Sequence, residues 1–324
     1  MQPLLFKPLL KQYLWGGRRL GSLLGKPIGN DDDYAESWEV VDHGADQSVV
    51  AEGPLAGATL AQLVANHGQA VFGRHHQVDG ATRSQFPLLF KFLDANRTLS
   101  VQVHPNDAQG AKLDPPDLGK TEAWIVLAAE PGSKIYAGLN EGVDRAALAN
   151  AIQAGECDRC LHAFEPTVGD CVFIPAGTVH ALGEGLVIAE IQQASNTTFR
   201  LFDWNRVGKD GQPRPLHINE SLAVTDYTRG PVGPQTPQPL GAGSERLVEC
   251  EKFVLDRRQV SAEGSPVGGD DRFHLLTVII GNGRLAGDAA VPMPRGTTVL
   301  MPAACPAMTI ESDDGATLLD MYLP

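Results

Sequence analysis

The segment LSVQVHPND, Leu99 to Asp107, alternates apolar and polar residues as a strand does, so Gln102 and His104 project from one face. An amide oxygen and an imidazole are thereby set side by side. His104 alone says little, because a histidine is more often simply hydrogen-bonded. A second imidazole comes from GDCVFIPAGTVHAL, in which Pro175 and Gly177 turn the chain sharply between two strands and deliver His180 at the far end. Between the two lies LGKTEAWIVL, where Glu122 opens an otherwise apolar strand. By itself such an acid is a solvated strand end. Joined to Gln102, His104 and His180, it completes a set of two imidazoles, one carboxylate and one amide oxygen. With room left for a substrate oxygen, such a set suits catalytic zinc, and Mn, Fe and Co also match the ligand types.

A third segment, EIQQASNTTFRLFDWNR, places Glu190, Gln192 and Ala194 on one strand face and then reaches Arg200 through a polar stretch. An interior arginine near a metal is costly unless it meets an anion, and guanidinium geometry favours phosphate or carboxylate. A salt bridge to a protein acid is the plainer alternative. Lys91, inside the largely apolar run FPLLFKFLDAN, and Lys120 in GKTE are further candidate cations.

These side chains need rigid strands to hold them. The 35 glycines and 23 prolines bound short β-branched and aromatic runs along the whole chain, which predicts a mainly β protein with few helices. Helices are expected over Thr59 to Phe72 and Asp144 to Phe164, where Leu148, Ile152, Leu161 and Phe164 roughly follow a helical period. At roughly 150 residues per domain, 324 residues suggest two domains. The Pro/Gly-rich stretch DYTRGPVGPQTPQPLGAG, 226–243, reads as the linker between residues 1–225 and a C-terminal β-domain, 244–324. GDCVFIPAGTVH, starting at Gly169, is echoed by GTTVLMPAACPA, starting at Gly296, with Ala307 at the position of His180. The second copy therefore reads as structural.

Composition excludes several classes. Lys and Arg number 26 against 39 Asp and Glu, so 26 − 39 = −13, which argues against nucleic-acid binding. No apolar run approaches the ~20 residues of a membrane span, and Lys7 and Lys11 interrupt the N-terminal apolar residues where a signal peptide would need an unbroken core. A cytoplasmic location is expected. Five cysteines do not make a disulfide framework, and Cys157 and Cys160 lack the second ligand pair of a structural zinc site, so they read as reduced thiols on a helix.

The spacing G-x5-P-x-G-x2-H from Gly169 to His180 resembles the second signature of the cupin barrels, whose turn delivers the histidine to the barrel interior. Together with LFKPLLKQYLWGGRRL, ESWEV, FPLLFKFLDANRTLSVQVHPND, GKTEAW and EIQQASNTTFRLFDWNR, in order over the first two-thirds of the chain, it resembles the type I mannose-6-phosphate isomerases, in their short bacterial form. The resemblance implies a cupin jelly-roll barrel with helical insertions, followed by a smaller, cupin-like C-terminal β-domain without metal ligands. It implies one zinc ion per chain on Gln102, His104, Glu122 and His180. Arg200 would face the reacting carbons, and Lys120 would line the same pocket. Ser100 and Lys91 would lie near the sugar phosphate, with Trp15 closing a wall. Glu190 matches a carboxylate proposed to transfer protons. The family commonly has Asp where this chain has Asn196, which as an amide cannot act as a base and is retained as a substrate contact.

The activity so implied is interconversion of mannose 6-phosphate and fructose 6-phosphate through an enediol, by a monomer or weak homo-oligomer whose partner is a small sugar phosphate, with neither nucleic acid nor membrane. A non-catalytic metal-containing cupin that binds a sugar phosphate would use the same metal ligands, but Arg200, Lys120 and Glu190 favour the enzyme. A metal-dependent oxygenase on the same fold is less suited by the amide ligand and the cations, and oxygen uptake would distinguish it.

Overall fold

The computed structural model describes residues 1–78, 80–207, 211–287 and 290–324. Runs of β-branched and aromatic residues form antiparallel ladders, and two sheets carry the residues singled out above. A six-stranded sheet runs in the order Cys171–Ile174, Glu122–Ala129, Leu186–Gln193, Leu88–Ala95, Tyr34–Val40, Leu9–Gly17. A five-stranded sheet runs Leu161–Phe164, Ile135–Leu139, His180–Leu182, Val101–Val103, Phe199–Phe202.

The period of two explains how each sheet holds polar groups inside the protein. In the two middle strands of the larger sheet, Leu88, Phe90, Phe92, Val187, Ala189 and Ile191 enter the main core, where Leu60, Val64 and Phe72 also pack. The alternate positions, Lys91, Leu93, Ile188 and Glu190, occupy the other face. In the smaller sheet Val101, Val103, Val179, Ala181 and Leu201 join a separate apolar cluster. That leaves Gln102, His180 and Arg200 on the opposite side, and register pairs Gln102 with both His180 and Arg200.

The helix Leu60–Phe72 forms where expected, its first turn closed by a reciprocal capping box between Thr59 and Gln62. The second expected helix is shorter. It runs Arg145–Ala154 behind the N-cap Asp144 and ends at Gly155, whose φ of 72° is the left-handed C-cap conformation. Cys157–Cys160 is a 3-10 turn, not part of an α-helix, and Leu161–Phe164 is a strand paired with Ile135–Leu139. Leu161 and Phe164 fall on helical spacing while obeying a sheet. All five cysteines are free, and burial pushes the Cys157 thiol up to about 12. Among the described residues no helix is long and apolar enough to cross a membrane.

The C-terminal strands, Gln238–Gly241 through Ala316–Tyr322, build an eleven-stranded sheet that also recruits Leu4–Lys7, paired with Thr298–Met301, and Val49–Val50. The stretch 226–243 does not hang free: Val232 N donates to Ala137 O, Gln235 N donates to Cys171 O, and Gln238–Gly241 is itself a strand. Both copies of the sequence echo are strand, turn and strand, but their strands are placed differently. Cys171–Ile174 and His180–Leu182 lie in different sheets, and Thr298–Met301 and Met308–Glu311 pair with opposite halves of the long strand His274–Ala286.

Candidate metal centre and active site

His104 and His180 each lie within 2.9 Å, through Nδ1, of a backbone carbonyl, that of Thr197 and of Thr178 respectively. A carbonyl only accepts, so each Nδ1 carries the proton and each Nε2 keeps its lone pair. Glu122 Oε1 stands 3.3 Å from His180 Nε2, and Oε2 stands 3.7 Å from His104 Nε2. Among the described residues these three make the one cluster of His, Cys, Asp or Glu whose ligand atoms converge, all within 4.8 Å of one another. They are 1%, 4% and 1% exposed for His104, His180 and Glu122, so solvent does not satisfy them. Gln102 Nε2 donates to Ser100 Oγ at 3.1 Å, a bond that does not use its amide oxygen.

Burial, reinforced by the Lys120 cation, holds the His180 imidazole down to about 4 and that of His104 well below its ordinary value. Both are therefore neutral, the form that binds metal. Burial and the nearby Glu190 raise Glu122 to about 7, against the pull of Lys120. Lys120 Nζ lies 3.1 Å from His104 Nε2 and contacts the Glu122 carboxylate, so a cation already stands against two of the donors. Two neutral imidazoles and a carboxylate, converging on a position that attracts positive charge, fit a divalent ion.

Above this cluster the larger sheet contributes a row of alternating charge. Register sets Glu190 between Lys91 and Trp124. Glu190 Oε1 lies 3.3 Å from Lys91 Nζ and 3.5 Å from Lys120 Nζ without an aligned hydrogen bond, while Oε2 accepts from Trp124 Nε1 at 3.1 Å. Burial would raise the Glu190 pKa, but the two ammonium groups outweigh it and keep the carboxyl ionised. Burial would likewise discharge Lys91, yet Glu190 and Glu36, the latter 3.4 Å away, hold its pKa above that of an ordinary lysine.

Arg200 donates from Nε to Ser100 Oγ at 3.2 Å and from Nη1 to Pro215 O at 2.9 Å. Burial, and then the neighbouring Arg214, depress its pKa. Arg214 is itself gripped by both oxygens of Asp203, at 2.7 Å each.

A cavity of about 270 Å³ gathers these groups: Trp15, Lys91, Ser100, Gln102, Lys120, Glu122, His180, Glu190, Asn196 and Arg200 all line it. His104 does not line it and meets Lys120 and Glu122 from behind. Tyr13, Glu36, Trp124, Thr198 and Arg214 also form the wall, and sequence reasoning assigned them no role. Glu36 carried a usable signal, an acid within the buried strand Tyr34–Val40. Arg214 carried none, because a basic residue in a Pro-rich loop looks like any solvated charge.

A family model for the catalytic domain of type I phosphomannose isomerase matches residues 4–135, a span that holds Trp15, Lys91, Ser100, Gln102, His104, Lys120 and Glu122. A mannose-6-phosphate isomerase of Bacillus subtilis is 35% identical over 310 residues, covering 93% of both chains. A mannose-6-phosphate isomerase of Streptococcus mutans is 33% identical, covering 96% of each. The crystal structure of the mannose 6-phosphate isomerase from Bacillus subtilis superimposes with a TM-score of 0.89 at 28% identity, over the full length of both chains.

Proposed function

The chain belongs to the type I phosphomannose isomerase family, and from that premise we propose that it interconverts mannose 6-phosphate and fructose 6-phosphate with one Zn2+ held by Gln102, His104, Glu122 and His180. The observation that carries this reading is the convergence of two neutral imidazoles and Glu122 beside a cavity that also contains Glu190 and Arg200. We read residues 1–225 as a cupin-type catalytic unit, joined through 226–243 to a C-terminal unit without ligands. The five unpaired cysteines accord with a reducing, cytoplasmic compartment.

Aldose–ketose interconversion removes a proton from the carbon next to a carbonyl and returns it to the neighbouring carbon. Zn2+ held by Gln102, His104, Glu122 and His180 would supply Lewis acidity toward the substrate's oxygens. Glu190 Oε1, uncommitted to an aligned hydrogen bond, takes and returns the proton. Lys91 and Lys120 keep that carboxylate charged between turnovers. Arg200, aimed by Ser100, faces the negative charge that develops on the enediol oxygens, where one fixed donor is worth roughly 3–4 kcal/mol. Lys120, whose ammonium gives up the His104 and Glu122 donor atoms where a metal is held, stays beside Glu190 and donates to a substrate oxygen. Trp15, Ser100, Asn196 and Lys91 contact the sugar phosphate. Because Lys91 already shares its charge with Glu190 and Glu36, it contributes less to phosphate binding than a free ammonium would.

Turnover of mannose 6-phosphate in heavy water, followed by NMR, tests the function and the proton route together. Formation of fructose 6-phosphate with deuterium on the carbon that receives the proton is expected. Direct transfer without any label, together with near-normal turnover in Glu190→Gln, Lys120→Met and Arg200→Lys, would contradict the enediol route.

A further inference from the structure

A histidine ligand is held as firmly as the acceptor on its other nitrogen. For His180 that acceptor is local, the carbonyl of Thr178 in its own turn. For His104 it is the carbonyl of Thr197, 93 residues along the chain. Thr197 belongs to no helix or strand; it lies in the link between Leu186–Gln193 and Phe199–Phe202. One carboxylate fixes that link. Asp117 Oδ2 accepts from Ser195 Oγ at 2.8 Å, from Thr197 Oγ1 at 2.6 Å and, at 3.4 Å, from Asn196 N. Its Oδ1 accepts from Leu118 N at 2.8 Å and stands 3.2 Å from His43 Nε2. Three consecutive residues thus hang on one oxygen, and the middle one, Asn196, lines the cavity that Asp117 itself does not reach. Burial would raise the Asp117 pKa, but the bonds from His43, Thr197 and Ser195 hold it below the usual carboxylate range, so the clamp is charged.

We propose that Asp117 is a positioning residue for the metal centre: by clamping residues 195–197 it sets the Thr197 carbonyl, and through it the ring plane and tautomer of His104. The inference rests on His104 being a ligand, as read above. It separates two jobs that the same link performs, since the hydroxyl of Thr197 is anchored to Asp117 while its carbonyl orients the imidazole.

The test measures Zn2+ affinity by competition with a chromophoric chelator in the full-length wild type, Asp117→Asn, Asp117→Ala and Thr197→Val. Melting of each metal-free variant and the 15N shifts of the His104 ring are recorded alongside. Asp117→Ala is expected to weaken Zn2+ binding roughly 10- to 100-fold. Thr197→Val, which keeps the carbonyl and removes only its anchor, shifts affinity in the same direction by less. In both, the His104 15N signals move toward a mixture of tautomers. Asp117→Asn and Thr197→Val preserve side-chain shape, so they decide the matter if Asp117→Ala fails to fold. Zn2+ affinity within twofold of wild type in every folded variant overturns the proposal. A wild-type chain that binds no Zn2+ overturns the metal reading itself, which is a different result.

Discussion

In the sequence His180 stands out because its turn announces it, Gln102 and His104 because an alternating strand sets them on one face, and Glu122 because it opens an otherwise apolar strand. Arg214 and Tyr13 were not, because nothing in their neighbours distinguishes a side chain that turns inward from one that stays in water. The metal role is testable residue by residue. Purified protein is expected to hold about one zinc per chain, and His180→Ala to lose both metal and activity. Elemental analysis after gel filtration measures this, and stoichiometric metal persisting in both His104→Ala and His180→Ala would contradict the ligand set. Arg200→Lys keeps the charge but loses the planar fork that Ser100 and Pro215 orient. Its kcat is predicted to fall roughly 100-fold with a smaller change in KM, as for the loss of one oriented oxyanion donor. A KM effect with unchanged kcat would make Arg200 a ground-state binder only.

Among the elements, the turn before His180 places that side chain. Gly177 sits at φ 86°, its N–H donates to His104 O at 2.9 Å and its carbonyl accepts from Asp226 N at 2.9 Å, so one residue ties the turn before His180 to the backbone of His104 and of Asp226. A Cβ there would meet Asp226 Cβ at 3.1 Å and Val224 O at 3.2 Å. Gly177→Ala combines that crowding with a left-handed backbone cost of roughly 1–2 kcal/mol. The variant is predicted to melt several degrees lower and to bind Zn2+ more weakly, both measurable by calorimetry on metal-free and loaded protein; unchanged Zn2+ affinity would mean the turn is not what places His180. The mainly β character and the helix Leu60–Phe72 could be read from pattern and capping. The helix expected to Phe164 could not be delimited, because over a few residues periods of 3.6 and 2 both accommodate Leu161 and Phe164, and only Gly155 marks the change. Strand partners were less legible still. Nothing in LLFK tells that Leu4–Lys7 pairs with residues nearly 300 positions later.

At the scale of the whole molecule, the C-terminal strands carry their own buried charge. His274 stands 2.7 Å from Asp320 and 3.1 Å from Asp270, and Asp320 also accepts from Arg258 at 3.2 Å. Burial would lower the His274 pKa, but the two carboxylates overcome it and raise it to about 9. A raised folded-state pKa gives stability that is fully present below the unfolded value of about 6.5 and lost as pH climbs through about 9. Melting temperature is therefore predicted to decline over that window in wild type and far less in His274→Gln. Because none of the described residues of this region lines the cavity, His274→Gln is expected to leave turnover per folded molecule unchanged. Normal stability with greatly reduced turnover would show that the C-terminal strands contribute to the chemistry. The central claim, a metal-dependent isomerase of mannose 6-phosphate, is tested most directly by a coupled assay of fructose 6-phosphate formation on gel-filtered protein before chelation, after chelation and after return of one equivalent of Zn2+. The account predicts turnover that is abolished by the chelator and restored by the metal. Undiminished turnover in protein shown to be metal-free, or none in the zinc-loaded protein, would contradict it.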